Sequence, residues 1–103
     1  MATVSGRILD ALSALEPEGD SDAKIAKVVE DALVRRLHHH QYVDRHMQQK
    51  HGMTFDEFRD RRVVEQRGYS FDAESDFWEW ELALDGIATF VNRLRKLRNA
   101  LPQ

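Results

Sequence analysis

Cysteine is absent from this chain of 103 residues. That removes disulfides, thiolate catalysis and any cysteine-ligated zinc or iron–sulfur centre, and it suits a reducing compartment. Proline is nearly absent too: Pro17 and Pro102 stand at the margins, so no proline interrupts helix between them. Long apolar runs are missing, with none near the roughly 18 residues that cross a bilayer, and no basic-then-apolar leader opens the chain. The expectation is a cytoplasmic protein with no membrane partner. No alternating strand-like runs flanked by turns and no internal repeats occur. What remains is an all-α chain.

A length of 103 residues allows one domain with a modest core, for which association would add stability. The net charge of −3 lacks the basic excess of a dedicated nucleic-acid binder, which makes nucleic acid the lesser option as a partner. Charge is strongly polarised near the C-terminus. Residues 72–85 hold six acids (Asp72, Glu74, Asp76, Glu79, Glu81, Asp85) and no base, whereas 93–98 hold Arg93, Arg95, Lys96 and Arg98 and no acid. Acids at a helix start and bases at its end complement the macrodipole. The same polarity can also steer a partner of opposite charge.

The region 72–100 predicts one long helix. Ala73, Phe77, Trp80, Leu84, Ile87, Val91 and Leu94 recur at alternating steps of four and three, the spacing of a single apolar seam, and Ser70 is placed to cap it. Residues 22–51 predict a second long helix, with Ser21 as its cap and Gly52 as the left-handed residue that ends it. Its stripe is apolar through Ile25, Val28, Val29, Ala32, Leu33 and Leu37. Beyond that it mixes His40, Val43, Asp44 and Met47, which predicts a half-buried second half. Between the two, Thr54 and Glu57 have the spacing of a capping box, and Met53 is placed to staple against Phe58. A short bridging helix over 55–67 follows, burying Phe55, Phe58 and Val63. Residues 3–15 read as a small amphipathic helix through Ile8, Leu12 and Leu15, and Pro17-Glu18-Gly19-Asp20 separates it from the rest. The expected architecture is a helical hairpin of two long antiparallel helices, with 1–20 as helix and linker and 21–103 as the interaction domain.

Phe71, Trp78 and Leu82 lie near the face opposite the Phe77/Trp80/Leu84 seam, at about 100° per residue. A helix apolar on two sides is covered on two sides. Either the short bridging helix covers the second side, or the aromatics there anchor a partner, a role tryptophan fills at interfaces.

No catalytic set, metal site or cofactor is expected. His38, His39, His40, His46 and His51 contain no pair four residues apart, the helical spacing that lets two imidazoles share an ion. His40 and Asp44 have that spacing, which suits an ionic or hydrogen-bonded surface pair. The acids of 72–85 have no matching acidic set on the facing helix with which to converge on magnesium. Arg45-His46 followed by His51 resembles the arginine–histidine signature of the HEPN family of helical, metal-independent RNases that act as dimers. That resemblance implies an enzyme as the alternative reading.

The stretch Lys50-His51-Gly52-Met53-Thr54-Phe55-Asp56-Glu57-Phe58, followed by Ser75-Asp76-Phe77-Trp78-Glu79-Trp80-Glu81, resembles a family of small helical prokaryotic antitoxins encoded beside TumE-like toxin genes. The resemblance spans about residues 33–97, with His51 where the family pattern has an aromatic. It implies a non-enzymatic protein that binds and neutralises a cognate toxin as a homo- or hetero-oligomer. The residue pattern independently suggests a binding surface built from Met53, Phe55, Phe58, Phe71, Phe77, Trp78, Trp80 and Leu82, rimmed by Glu74, Glu79 and Glu81. Such a surface could occlude a basic toxin site by imitating the charge of its substrate.

Overall fold

The computed structural model describes residues 21–101, all helix and connecting turns. Helix α1 spans Ser21–His51, α2 Phe55–Asp60, α3 Val63–Gln66 and α4 Phe71–Ala100. The expected helix over 3–15 lies outside the described residues. At about 1.5 Å per residue α1 and α4 are each some 45 Å long, and they pack against one another along the molecule. The described residues measure 57 × 27 × 25 Å, with a radius of gyration of 19.4 Å; a compact domain of about 100 residues would have about 13 Å. It is a rod.

The turns follow from local chemistry. Gly52 at φ +66° ends α1, its N–H donating to Gln48 O at 2.8 Å, a left-handed position that glycine takes without steric cost. The Thr54 hydroxyl accepts from Glu57 N at 3.2 Å, the first bond of a capping box, and donates to the Glu57 carboxylate at 3.3 Å in place of the box's backbone bond, while Met53 packs on the cluster that contains Phe58, as a staple requires. Ser70 caps α4 by accepting from Ala73 N at 3.2 Å.

The bridge differs from the expected single helix over 55–67. It breaks at Arg61 and Arg62, with Arg62 left-handed at φ +51°. The reason lies in the apolar spacing: Phe55 and Phe58 share a helical face, but Val63, five residues beyond Phe58, would point away in an unbroken helix. The kink turns Val63 inward, where it is buried with Phe55, Phe58, Met47 and Trp80.

Two further expectations are corrected. On α4 the buried line runs through Ala73, Asp76, Trp80, Ala83, Phe90 and Leu94. Phe77 and Leu84 are only partly buried, and Val91 is exposed. The seam therefore includes an aspartate and small residues that an apolar count passes over. On α1 the two halves are buried to a similar degree, with Ile25, Ala32, Leu33 and Leu37 half-buried like His40, Val43 and Asp44. The mixed second half buries Met47 and His51, while Val28 and Val29 of the apolar half are exposed. At the turn end α2 and α3 add a third layer over the two rods; at the open end, among the described residues, the rods have only each other.

At Gly86 the rods approach closely. A Cβ there would lie 2.4 Å from the His40 ring, which is itself stacked on Phe90 with centroids 5.6 Å apart. Gly86→Ala should therefore destabilise the fold by about 1 kcal/mol, because overpacking of about 1–3 kcal/mol exceeds the gain of about 1 kcal/mol from alanine in a helix. In a His40→Ala background the same change should stabilise it. Urea denaturation of the four proteins in that double-mutant cycle reads the sign reversal.

Candidate functional site

Two neighbouring features occupy the turn end: a buried polar cluster in the seam and an uncovered aromatic face outside it. The cluster follows from placing His51, at the last turn of α1, opposite Asp76, in the second turn of α4. His51 Nε2 and Asp76 Oδ2 are 2.8 Å apart, and Lys50 Nζ donates to the same oxygen at 2.7 Å. The carboxylate can only accept, so His51 carries its proton on Nε2, and its buried Nδ1 has no hydrogen-bond partner. Burial works to raise the pKa of Asp76, but the hydrogen bonds and charge of Lys50 and His51 outweigh it, and the net shift is downward. Lys50 is shifted upward, first by its hydrogen bond to Asp76 and then by the charges of Asp76 and Asp72, against some desolvation.

One turn further on, the Trp80 indole N–H donates to Asp44 Oδ1 at 2.8 Å, and Asp44 Oδ2 accepts from Gln48 at 3.0 Å. The expected His40–Asp44 pair gives way to these contacts and to the His40 stack on Phe90. As α1 runs from His40 through Asp44 to His51, its partners on α4 run back from Gly86 through Trp80 to Asp76. These polar and steric ties set the antiparallel register, since a slide along the seam would strand buried donors and acceptors.

Burial divides the proposed partner-binding residues. Trp80 and Phe58 are fully enclosed and Phe55 nearly so. Their rings pack edge-on or tilted, with centroids 5.4 and 5.5 Å from that of Trp80, and His51 stacks on the indole at 5.8 Å. These three aromatics form the chain's own core and present no surface to a partner, which corrects the sequence expectation for them. Met53 and Phe77 are half-buried at the edge of that core. Asp76 likewise leaves the acidic surface, being enclosed and paired.

Outside, Phe71 is 82% exposed, Trp78 64% and Leu82 66%. The bridge does not cover this face. Glu74, Glu79 and Asp85 are exposed beside the stripe and Glu81 is half-buried. Next to it, a groove of about 280 Å³ runs between α4 and the bridge, with Val64, Phe77 and Trp78 facing it over the enclosed Phe58 and Val63, and Arg59, Arg62, Tyr69 and Glu74 at its edge. Arg62 and Tyr69 both have left-handed φ, +51° and +55°, a conformation that costs a bulky residue roughly 1–2 kcal/mol. The backbone strain among the described residues thus lies at the lip of this groove, which sequence reasoning missed. The one available signal was Gly68 beside Tyr69, which marks a turn but not its strain.

The Arg45/His46/His51 set does not converge. His51 is enclosed, its side chain 1% exposed on Asp76, while Arg45 and His46 face solvent on other sides of α1, with His46 stacked on Tyr42. Among the described residues, no three or more histidines and carboxylates gather as metal ligands, and no helix is long and apolar enough to cross a membrane. Comparison of the chain with family models, curated proteins and solved structures gives no match.

Proposed function

We propose that this chain is a non-enzymatic binding module that captures a protein with a basic surface, in the manner of an antitoxin silencing a toxin. The observation that supports this reading is the Phe71/Trp78/Leu82 stripe, three large apolar side chains left open on the outer face of a helix and flanked by Glu74, Glu79, Glu81 and Asp85. Exposed aromatic area beside a lip of charge has the composition of an interface centre with a polar rim. The acids give the face the charge of a phosphate-bearing substrate, so it can compete for a toxin site that holds RNA. The strained groove beside Trp78 offers a socket for one apolar side chain of that partner. An RNase reading built on Arg45, His46 and His51 has no comparable support, because its histidine is enclosed and already hydrogen-bonded.

Trp78 is the residue to test. Co-purification with the product of the adjacent gene, followed by calorimetric titration, should show Trp78→Ser weakening the complex about 100-fold, the effect of a hot-spot tryptophan. The helical circular-dichroism signal should stay unchanged, because the indole is outside the core. Changing Glu74, Glu79, Glu81 and Asp85 together to serine should slow association and flatten its salt dependence. Full binding by both proteins would remove the proposal.

A further inference from the structure

The outer face of α4 does not end at Leu82. It continues through the exposed residues Thr89, Arg93, Lys96 and Ala100, so one face has an aromatic, acid-rimmed first half and a polar, basic second half. We propose that a second copy of this chain covers this face, the two α4 helices lying antiparallel about a twofold axis between Asp85 and Gly86. The proposal rests on the same uncovered stripe as the binding-module reading and names what occupies it when no other protein does.

Charge selects this occupant and its direction. With Asp76 enclosed and paired, five acids and no base remain toward solvent over 72–85, and Arg93 and Lys96 carry the outer face of the basic half, so that face is its own complement when reversed. Antiparallel pairing sets each acidic half on the other copy's basic half, and twofold symmetry makes the contact twice. Parallel pairing would set like on like. The axis between Asp85 and Gly86 sets the register: Leu82 of one copy meets Thr89 of the other, Trp78 meets Arg93, Ser75 meets Lys96 and Phe71 meets Ala100. Arg93 then lies over the Trp78 indole, a cation–π contact, within reach of Glu79, while Lys96 reaches Glu74. Arg93 is exposed, and in the monomer it lies over the Phe90 ring at 5.3 Å, a contact it exchanges for the indole. This register has one repulsive element, Asp85, which approaches its own copy at the axis.

The absence of cysteine makes the test clean. Sedimentation of the full chain over a concentration series at low salt should show a monomer–dimer equilibrium, shifted toward monomer by salt. Arg93→Glu should weaken the dimer about 100-fold, roughly tenfold for each symmetric contact, and Lys96→Glu should weaken it too. Asp85→Asn should tighten it, whereas loss of an acid would weaken capture of a basic protein. Ser75→Cys and Lys96→Cys proteins, mixed and oxidised, should crosslink to each other and not each to itself. A monomer at every concentration, a dimer indifferent to Arg93→Glu, or preferential Ser75→Cys self-crosslinking would overturn the proposal. Failure here is separable from failure of the binding-module reading: Arg93→Glu leaves Phe71, Trp78, Leu82 and their acids in place, so it should still capture the adjacent gene product.

Discussion

Trp80→Ala should cost about 3–5 kcal/mol, the range for removing a buried large aromatic. Single domains have roughly 5–15 kcal/mol of stability in all, so the variant is expected to melt at or near room temperature. Three losses coincide at this side chain. The indole is the largest fully enclosed group in the described chain, it packs against Phe55, Phe58 and His51, and its N–H satisfies Asp44. Truncation would leave both a cavity and a part-buried carboxylate oxygen without its donor. Urea titration followed by circular dichroism measures the loss. Trp78→Ala, two residues away, should cost no more than about 1 kcal/mol, because the indole is 64% exposed and keeps only an edge contact with Phe77 at 5.6 Å. Equal effects of the two substitutions would contradict the assignment of one indole to the core and the other to the surface.

The second large effect concerns Asp76. Asp76→Ala leaves the enclosed His51 Nε2–H without an acceptor and Lys50 without its counter-ion. Breaking a buried pair by removing one member costs about 3–5 kcal/mol, and the half-exposed lysine brings the expected loss to about 2–3 kcal/mol. The pH dependence has a definite sign. The folded-state pKa of Asp76 is below its ordinary value of 3.8, so its contribution is present above that value and lost as pH falls through the lower folded one. For Lys50, raised above 10.5 in the folded state, the contribution is complete below 10.5 and lost as pH climbs through the raised value. Wild type should therefore lose stability on both flanks, while Asp76→Asn should show a flatter profile. The gap between the two proteins should narrow as pH falls below 3.8. A constant gap from pH 2 to pH 7 would show that the cluster is not charged as described.

Local signals carried much of this fold. Thr54 with Glu57, Ser70, Gly52 and the absence of internal proline placed the turns and the two rods, because a cap or a left-handed glycine acts within a few residues of itself. The packing register was less legible. Asp76, Ala83 and Gly86 lie in or beside the seam, yet none is a large apolar residue, and two of them are there because of something on the other helix: His51 for Asp76, and the His40 ring for Gly86. Trp78 and Trp80 are the same residue two positions apart, and only the helix phase, set by those long-range ties, decides which is enclosed. The uncovered stripe was visible as a second apolar face; that nothing in the described chain covers it depends on where the kink at Arg62 sends the bridge. Polar residues at seam spacing on both helices, Asp44 and His51 on one and Asp76 on the other, were the available sign of a tied register.

The unequal ends of the rod also bear on how the chain acquires its structure. Its principal cluster draws on Met47, Phe55, Phe58, Val63 and Trp80, all within about 35 consecutive positions, so the contacts that matter most close short loops, which is the condition for rapid folding. A nucleus at the turn would form first, and the two long arms would then zip outward from it toward Ser21 and Ala100. Amide exchange should retrace that order in reverse, with the arm tips opening at small free-energy cost and the helix turns around Trp80 exchanging only when the whole molecule unfolds.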